Sequence, residues 1–255
     1  MTALHVVEPL GAGPRVVLVH GFTQTGRSWA PIAADLVRDH EVVLVDAPGH
    51  GGSSAVRADM TEGAALLGAA GGRATYVGYS MGGRLALHLA LDHPDHVDAL
   101  VLLGATAGIE DEEERAARRR SDEVWAADLE RDGLDPFLRR WLAQPLFATL
   151  PADAVDLDDR RRNTVEGLAS SLRLAGTGSQ APRWTDLPRL RMPVLVLAGQ
   201  HDERFAALGR RMAREIGPGA EFATVPGAGH AAHRERPDAF LVVLRTFLAA
   251  QRAKR

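Results

Sequence analysis

The sequence predicts an α/β chain: a mostly parallel central sheet flanked by helices, with a block of helices inserted between two of its strands. Three observations predict it. Short continuous apolar runs at 15–19, 41–46, 99–104 and 192–199 suit strands buried on both faces of a parallel sheet. Helical patterns alternate with those runs, as crossover connections require. Between Asp111 and about Thr185 the strand signals stop and the chain becomes charged and helical in period. Residues 1–105 and 186–255 are therefore expected to form the sheet-bearing core, and 106–185 a helical cap.

The 255 residues and 45% hydrophobic content are enough for one large core with an insertion. A net charge of −3 argues against general affinity for nucleic acid or an anionic membrane. With no cysteine, disulfide and thiolate chemistry are excluded. Met1 is followed by no basic stretch and no long apolar run, so no secretory signal is expected and the cytoplasm is the expected compartment. Lysine occurs once, at Lys254, so a given arginine says less about chemistry here than in a balanced composition.

The first apolar run, Arg15 to Val19, lies between Gly13-Pro14 and His20-Gly21. The turn His20-Gly21-Phe22-Thr23-Gln24 follows it, and Ser28-Trp29 and 30–38 read as a helix. Glu41 to Asp46 is the second strand. It leads into Pro48-Gly49-His50-Gly51-Gly52, where a phosphate cradle would need a following Gly-Lys-Ser/Thr that is absent. A helix is expected over 55–70, with Gly71-Gly72 as its exit.

Thr75 to Tyr79 is a β-branched and aromatic strand running into Gly78-Tyr79-Ser80-Met81-Gly82, and Arg84 to Ala90 continues as a helix. Strand, sharp turn and helix are the context that makes Gly-x-Ser-x-Gly a nucleophile elbow. The next helix N-terminus offers N–H groups and a positive dipole end to a developing oxyanion. The expected donors are the N–H groups of Phe22 and Met81.

Ala99 to Gly104 is a further strand. In the insertion, Val124-Trp125-Leu129 and Phe137-Leu138-Trp141 recur at helical spacing, and Pro136, Pro145 and Pro151 are expected to break the helices. The charge runs at 112–115 and 118–122 read mainly as solvated faces. Strand grammar returns at Met192 to Gly199, followed by His201-Asp202. A helix over 205–216, a short strand at 221–225, the loop Pro226 to His230 and a closing helix over 237–250 complete the chain, with a frayed basic tail at 252–255.

A reactive serine needs a base, and the base needs an orienting carboxylate. Ser80, Asp202 and His230 arrive in that functional order, each just past a strand where parallel strands open into a crevice. His20 is expected to shape its turn, and His88, His93 and His96 lie on or after the elbow helix. Asp186 and Glu203 are weaker candidates for the acid. His230-x-x-His233 with Glu235 lacks the spacing of a zinc motif, so no metal is expected.

The order of His20-Gly21-Phe22, Asp46-Ala47-Pro48-Gly49-His50-Gly51, Gly78 to Gly83 and Gly227 to His230 resembles the α/β-hydrolase superfamily along nearly the whole chain. Those motifs do not choose a reaction. The stretches 78–87, 113–126, 141–147 and 160–173 together resemble the 2-succinyl-6-hydroxy-2,4-cyclohexadiene-1-carboxylate synthases of menaquinone biosynthesis. That resemblance implies a lyase that eliminates pyruvate from a 5-enolpyruvyl precursor without a cofactor. It implies a small-molecule substrate with three carboxylates. Arg84, Arg118 and Arg160 would clamp them, with Tyr79, Trp141 and Phe147 around the pocket. Arginine suits that task because its planar fork matches a carboxylate. Two other readings use the same residues: a hydrolase of esters or of C–C bonds in diketone acids, and a non-catalytic ligand-binding protein of this fold.

Overall fold

The computed structural model describes residues 3–252, with the backbone alone at Glu8. The tail at 253–255 lies outside the described residues. β1 (Val6–Leu10), β2 (Arg15–Val19), α1 (Ala30–Leu36), β3 (Glu41–Val45), α2 (Met60–Gly71), β4 (Ala74–Tyr79), α3 (Met81–Asp92) and β5 (Val97–Leu103) form the first part. Next come α4 (Glu112–Asp132), α5 (Leu134–Leu142), α6 (Leu157–Arg160) and α7 (Val165–Ala175). The chain closes with β6 (Val194–Gly199), α8 (Glu203–Ile216), β7 (Ala220–Val225), α9 (Ala232–Glu235) and α10 (Pro237–Arg252). No helix among the described residues is long and apolar enough to cross a membrane.

The sheet runs in the order β1-β3-β2-β4-β5-β6-β7. Among the described residues, only β1 is antiparallel. β1 was not legible as a strand, because Glu8 and Pro9 interrupt its pattern. Proline is tolerated there because β1 is an edge. β2 and β4 are buried almost end to end, as the apolar runs predict. Strand alternation sends Tyr76 to one face, with Leu67, Leu85, Leu89 and Met212 from α2, α3 and α8. It sends Val77 and Tyr79 to the other, with Ile32, Leu36, Phe240 and Leu244 from α1 and α10.

The helices between β5 and β6 carry an apolar cluster of their own, including Leu129, Phe137, Leu138, Leu168 and Leu172. Phe22 packs against this cluster and against the sheet. Pro136 does not break a helix. It sits in the first turn of α5, where a missing N–H leaves no bond unmade, and the break falls at Gly133, φ 82°. α2 starts at Met60 rather than 55, because the Asp59 carboxylate caps it through Thr61 and Glu62 N–H at 2.8 and 2.9 Å.

Candidate active site

The carboxyl ends of β2, β4, β6 and β7 deliver Phe22, Ser80, Asp202 and His230 to one edge of the sheet. Ser80 is the residue between β4 and α3, with φ 51° and ψ −109°. A non-glycine residue held there costs on the order of 1–3 kcal/mol and persists only where its surroundings enforce it. The Ser80 N–H donates to Leu103 O at 2.8 Å, and the Arg84 N–H donates to Ser80 O at 3.1 Å. Gly82 permits the turn: a Cβ there would lie 2.3 Å from Val19 O.

His230 Nε2 lies 3.2 Å from Ser80 Oγ, and His230 Nδ1 lies 2.7 Å from Asp202 Oδ2. Both His230 and Asp202 are buried. Asp202 also caps α8, its Oδ1 accepting from Phe205 N–H at 3.3 Å, so the carboxylate is held from two sides. Among the described residues, neither the Phe22 N–H nor the Met81 N–H donates to a protein acceptor. Phe22 and Met81 line the same cavity as Ser80. His20 shapes its turn as expected: its Nδ1–H donates to Gly21 O at 2.8 Å and its Nε2 accepts from Ala47 N–H at 3.0 Å. The buried His50 is pushed down to about 3 by desolvation first, and stays neutral.

A cavity of about 850 Å³ opens over Ser80 and His230. Phe22, Met81, Arg84, Arg118 and Trp141 line it. The aromatic side is braced by Trp141, whose ring is 4.9 Å from Phe22 and stacked 5.9 Å from Phe137.

Arg84 is 7% exposed and has no carboxylate partner among the described residues. It donates through one nitrogen to Ala175 O at 2.9 Å and Gln180 Oε1 at 3.3 Å. Burial first, then the nearby Arg118 charge, pushes its guanidinium down to about 9. The Asp122 charge opposes that shift without pairing with it, so at neutral pH Arg84 remains a buried cation with no direct carboxylate contact among the described residues. Arg118 is held by Asp122, Nε to Oδ1 at 2.8 Å, and is about a third exposed. Asp122 was foreseeable from its i,i+4 spacing to Arg118. Gln180 has no such signal, since 96 residues separate it from Arg84.

Three residues expected to meet the substrate, Arg160 as a clamp and Tyr79 and Phe147 around the pocket, do not line this cavity. Tyr79 ends β4 on the α1/α10 face, its ring 5.3 Å from His230 and 4.5 Å from His233, behind the site. Burial drives its phenol far above the ordinary range. Phe147 is buried 6.2 Å from the His230 ring and 6.4 Å from Trp141, in the layer behind the cavity lining. Arg160 turns to the loop after Phe22, donating to Thr23 Oγ1 and, at 2.8 Å, to Val155 O. The cavity also takes in groups to which the sequence gave no substrate contact, among them Trp125, Gln144, Ser171 and Arg204.

Residues 14–237 match the family described as alpha/beta hydrolase fold. The 2-succinyl-6-hydroxy-2,4-cyclohexadiene-1-carboxylate synthase of Salmonella heidelberg (strain SL476) is 34% identical over 251 residues, 92% of this chain and 93% of that one. The solved structure of MenH from S. aureus superposes with a TM-score of 0.89 at 28% identity, covering 99% of this chain and 100% of that one. A thermophilic esterase from Thermogutta terrifontis, solved with malate bound, superposes with a TM-score of 0.82 at 26% identity, covering 97% and 94%.

Proposed function

Since the chain belongs to the α/β-hydrolase fold family and, within it, to the 2-succinyl-6-hydroxy-2,4-cyclohexadiene-1-carboxylate synthases, we propose that it is a cytoplasmic carbon–oxygen lyase. It eliminates pyruvate from 2-succinyl-5-enolpyruvyl-6-hydroxy-3-cyclohexene-1-carboxylate, with residues 106–185 as a cap over the core. The observation that carries this reading is Arg84: a buried cation without a carboxylate partner, lining the same cavity as Ser80 and His230. A neutral ester supplies no charge to such a group. A polycarboxylate does.

The geometry supports the following chemistry. Asp202 holds His230 with Nδ1–H toward the carboxylate, which leaves Nε2 to accept the Ser80 proton. The serine oxygen removes the ring proton beside the succinyl carbonyl. The N–H groups of Phe22 and Met81 bind the enolate oxygen that forms. The electron pair passes through the ring alkene and breaks the C–O bond to the enolpyruvyl group, which leaves and becomes pyruvate on gaining a proton. No acyl-enzyme forms. Arg84 and Arg118 bind and orient carboxylates, and Trp141 gives the ring an apolar wall.

The likeness to the esterase supports a second reading, in which the same serine attacks an ester carbonyl and water completes the turnover. The deciding experiment measures pyruvate release from the enolpyruvyl tricarboxylate beside hydrolysis of small neutral esters. Pyruvate release with slow ester turnover is expected. Fast ester hydrolysis without pyruvate would replace the lyase with a hydrolase.

A further inference from the structure

The loop that carries Phe22 is held by residues far away in sequence. Thr23, directly after Phe22, is fully buried and has φ 69°, a left-handed conformation unusual for a β-branched residue. Its carbonyl accepts from Asn163 Nδ2 at 2.7 Å, and its hydroxyl accepts from Arg160. Two residues on, the Thr25 N–H donates to Asp159 Oδ2 at 3.0 Å and the Thr25 hydroxyl donates to Asp159 Oδ1. Asp159, Arg160 and Asn163 are all buried. Asn163 is fixed in turn: its Oδ1 accepts from Gly51 N–H at 3.0 Å and its Nδ2 also donates to Arg160 O at 2.9 Å.

A surface loop needs none of this. Placing a carboxylate, a guanidinium and an amide away from water is costly unless their hydrogen bonds are made, and here those bonds converge on residues 23–25. Strained backbone of this kind persists only where its surroundings over-determine it. We propose that Asp159 and Asn163, with Arg160, are positioning residues that hold the Phe22 N–H at the angle an oxyanion needs. They lie in the segment inserted between β5 and β6, so the oxyanion site is complete only when that segment is seated on the core. Arg160 thereby acts through the loop rather than as a direct substrate clamp. The proposal rests on the assignment of Phe22 as an oxyanion donor.

The test compares Asp159→Ala, Asp159→Asn and Thr25→Val with the parent, by steady-state pyruvate release and by amide hydrogen exchange of residues 22–25. Loss of part of an oxyanion site should lower kcat roughly ten- to hundredfold while KM stays within about threefold. Exchange at 22–25 should quicken in parallel. Asp159→Asn keeps a planar group that can bond both Thr25 atoms and should restore kcat to within about threefold of the parent. Thr25→Val removes the hydroxyl's bonds to Asp159 and to the Arg27 N–H but keeps the bond from the Thr25 N–H, and gives the same pattern in milder form should Asp159→Ala fail to fold. Unchanged exchange at 22–25 would overturn the clamp and leave the Phe22 assignment standing. Faster exchange with kcat intact would overturn the proposal through that assignment, since the loop would then be loose without consequence. A rise in KM alone would make these residues substrate contacts and overturn their positioning role.

Discussion

Glu235 clasps the loop on both sides of His230. Its Oε2 accepts from Gly229 N–H at 2.7 Å and its Oε1 from Ala231 N–H at 3.0 Å. Both oxygens are used, and the residue is buried. Glu235 therefore fixes the backbone of the proposed base without touching the imidazole. An amide at this position would turn a donor toward one of the two N–H groups. Glu235→Gln is expected to lose about 1.5–3 kcal/mol of stability, the range for a hydrogen bond to a charged group. Its kcat should fall while KM holds. Thermal unfolding beside steady-state kinetics checks both; an unchanged kcat in a folded variant would leave Glu235 with a structural role only.

Ser80→Ala is expected to abolish turnover by several orders of magnitude and to keep substrate affinity, because the hydroxyl meets the reacting atom and adds little to the cavity wall. Asp202→Asn should leave the fold intact but favour the wrong His230 tautomer, again with a rate loss of several orders of magnitude. Calorimetric titration with substrate separates binding from turnover in both. Near-parental turnover in either would remove that residue from the proposed machinery.

The parts of this site that were legible in the sequence lie next to a strong local signal. Ser80, Asp202 and His230 each follow a strand whose apolar run announces it, and their order along the chain is enough to pair them. Arg84 was legible because one helical turn separates it from Ser80. Tyr79 was expected at the pocket only through the resemblance, and strand alternation sets its ring on the α1/α10 face. The hold on Thr23 and Thr25 was invisible, since its partners lie 134 to 140 residues away and no local pattern links them. β1 was hidden because an edge strand need not be apolar, and the helical period of α4 showed only around Val124, Trp125 and Leu129 because most of its surface faces water.

Gly104 offers a steric test of the His230 position. It directly follows β5 with φ 58°, and a Cβ there would lie 2.9 Å from His230 Cε1. Gly104→Ala is expected to displace the imidazole from Ser80 Oγ and to lower kcat roughly a hundredfold, since small misplacements of a reacting group cost that much. A crystal structure of the variant shows whether the ring has moved. A shifted ring with full activity would mean that His230 is not the base.

The last prediction concerns Arg84, where stability and binding should oppose each other. A buried cation with no carboxylate partner is a cost to the folded chain, and replacing such a group by an apolar one of similar volume is often neutral or stabilising. Arg84→Met is therefore expected to match or exceed the parent in Tm, although it removes the bonds to Ala175 O and Gln180 Oε1. The same change removes a charged hydrogen bond to substrate, worth about 1.5–3 kcal/mol, so kcat/KM for the tricarboxylate should fall roughly ten- to hundredfold. Arg84→Lys should recover only part of that, because a point charge cannot reproduce the planar fork. Arg118→Ala should show the binding loss without the gain in stability, as Arg118 is already neutralised by Asp122 and its loss leaves that buried carboxylate without its ion pair, with the Gly178 N–H at 3.3 Å. Small di- and tricarboxylates should raise the Tm of the parent, since a ligand that binds only the folded state stabilises it, and should do so less for Arg84→Met. Scanning calorimetry with and without such anions checks each step. An Arg84→Met protein that is much less stable than the parent, yet keeps its affinity for the tricarboxylate, would make Arg84 a packing residue and remove the chief support for an anionic substrate.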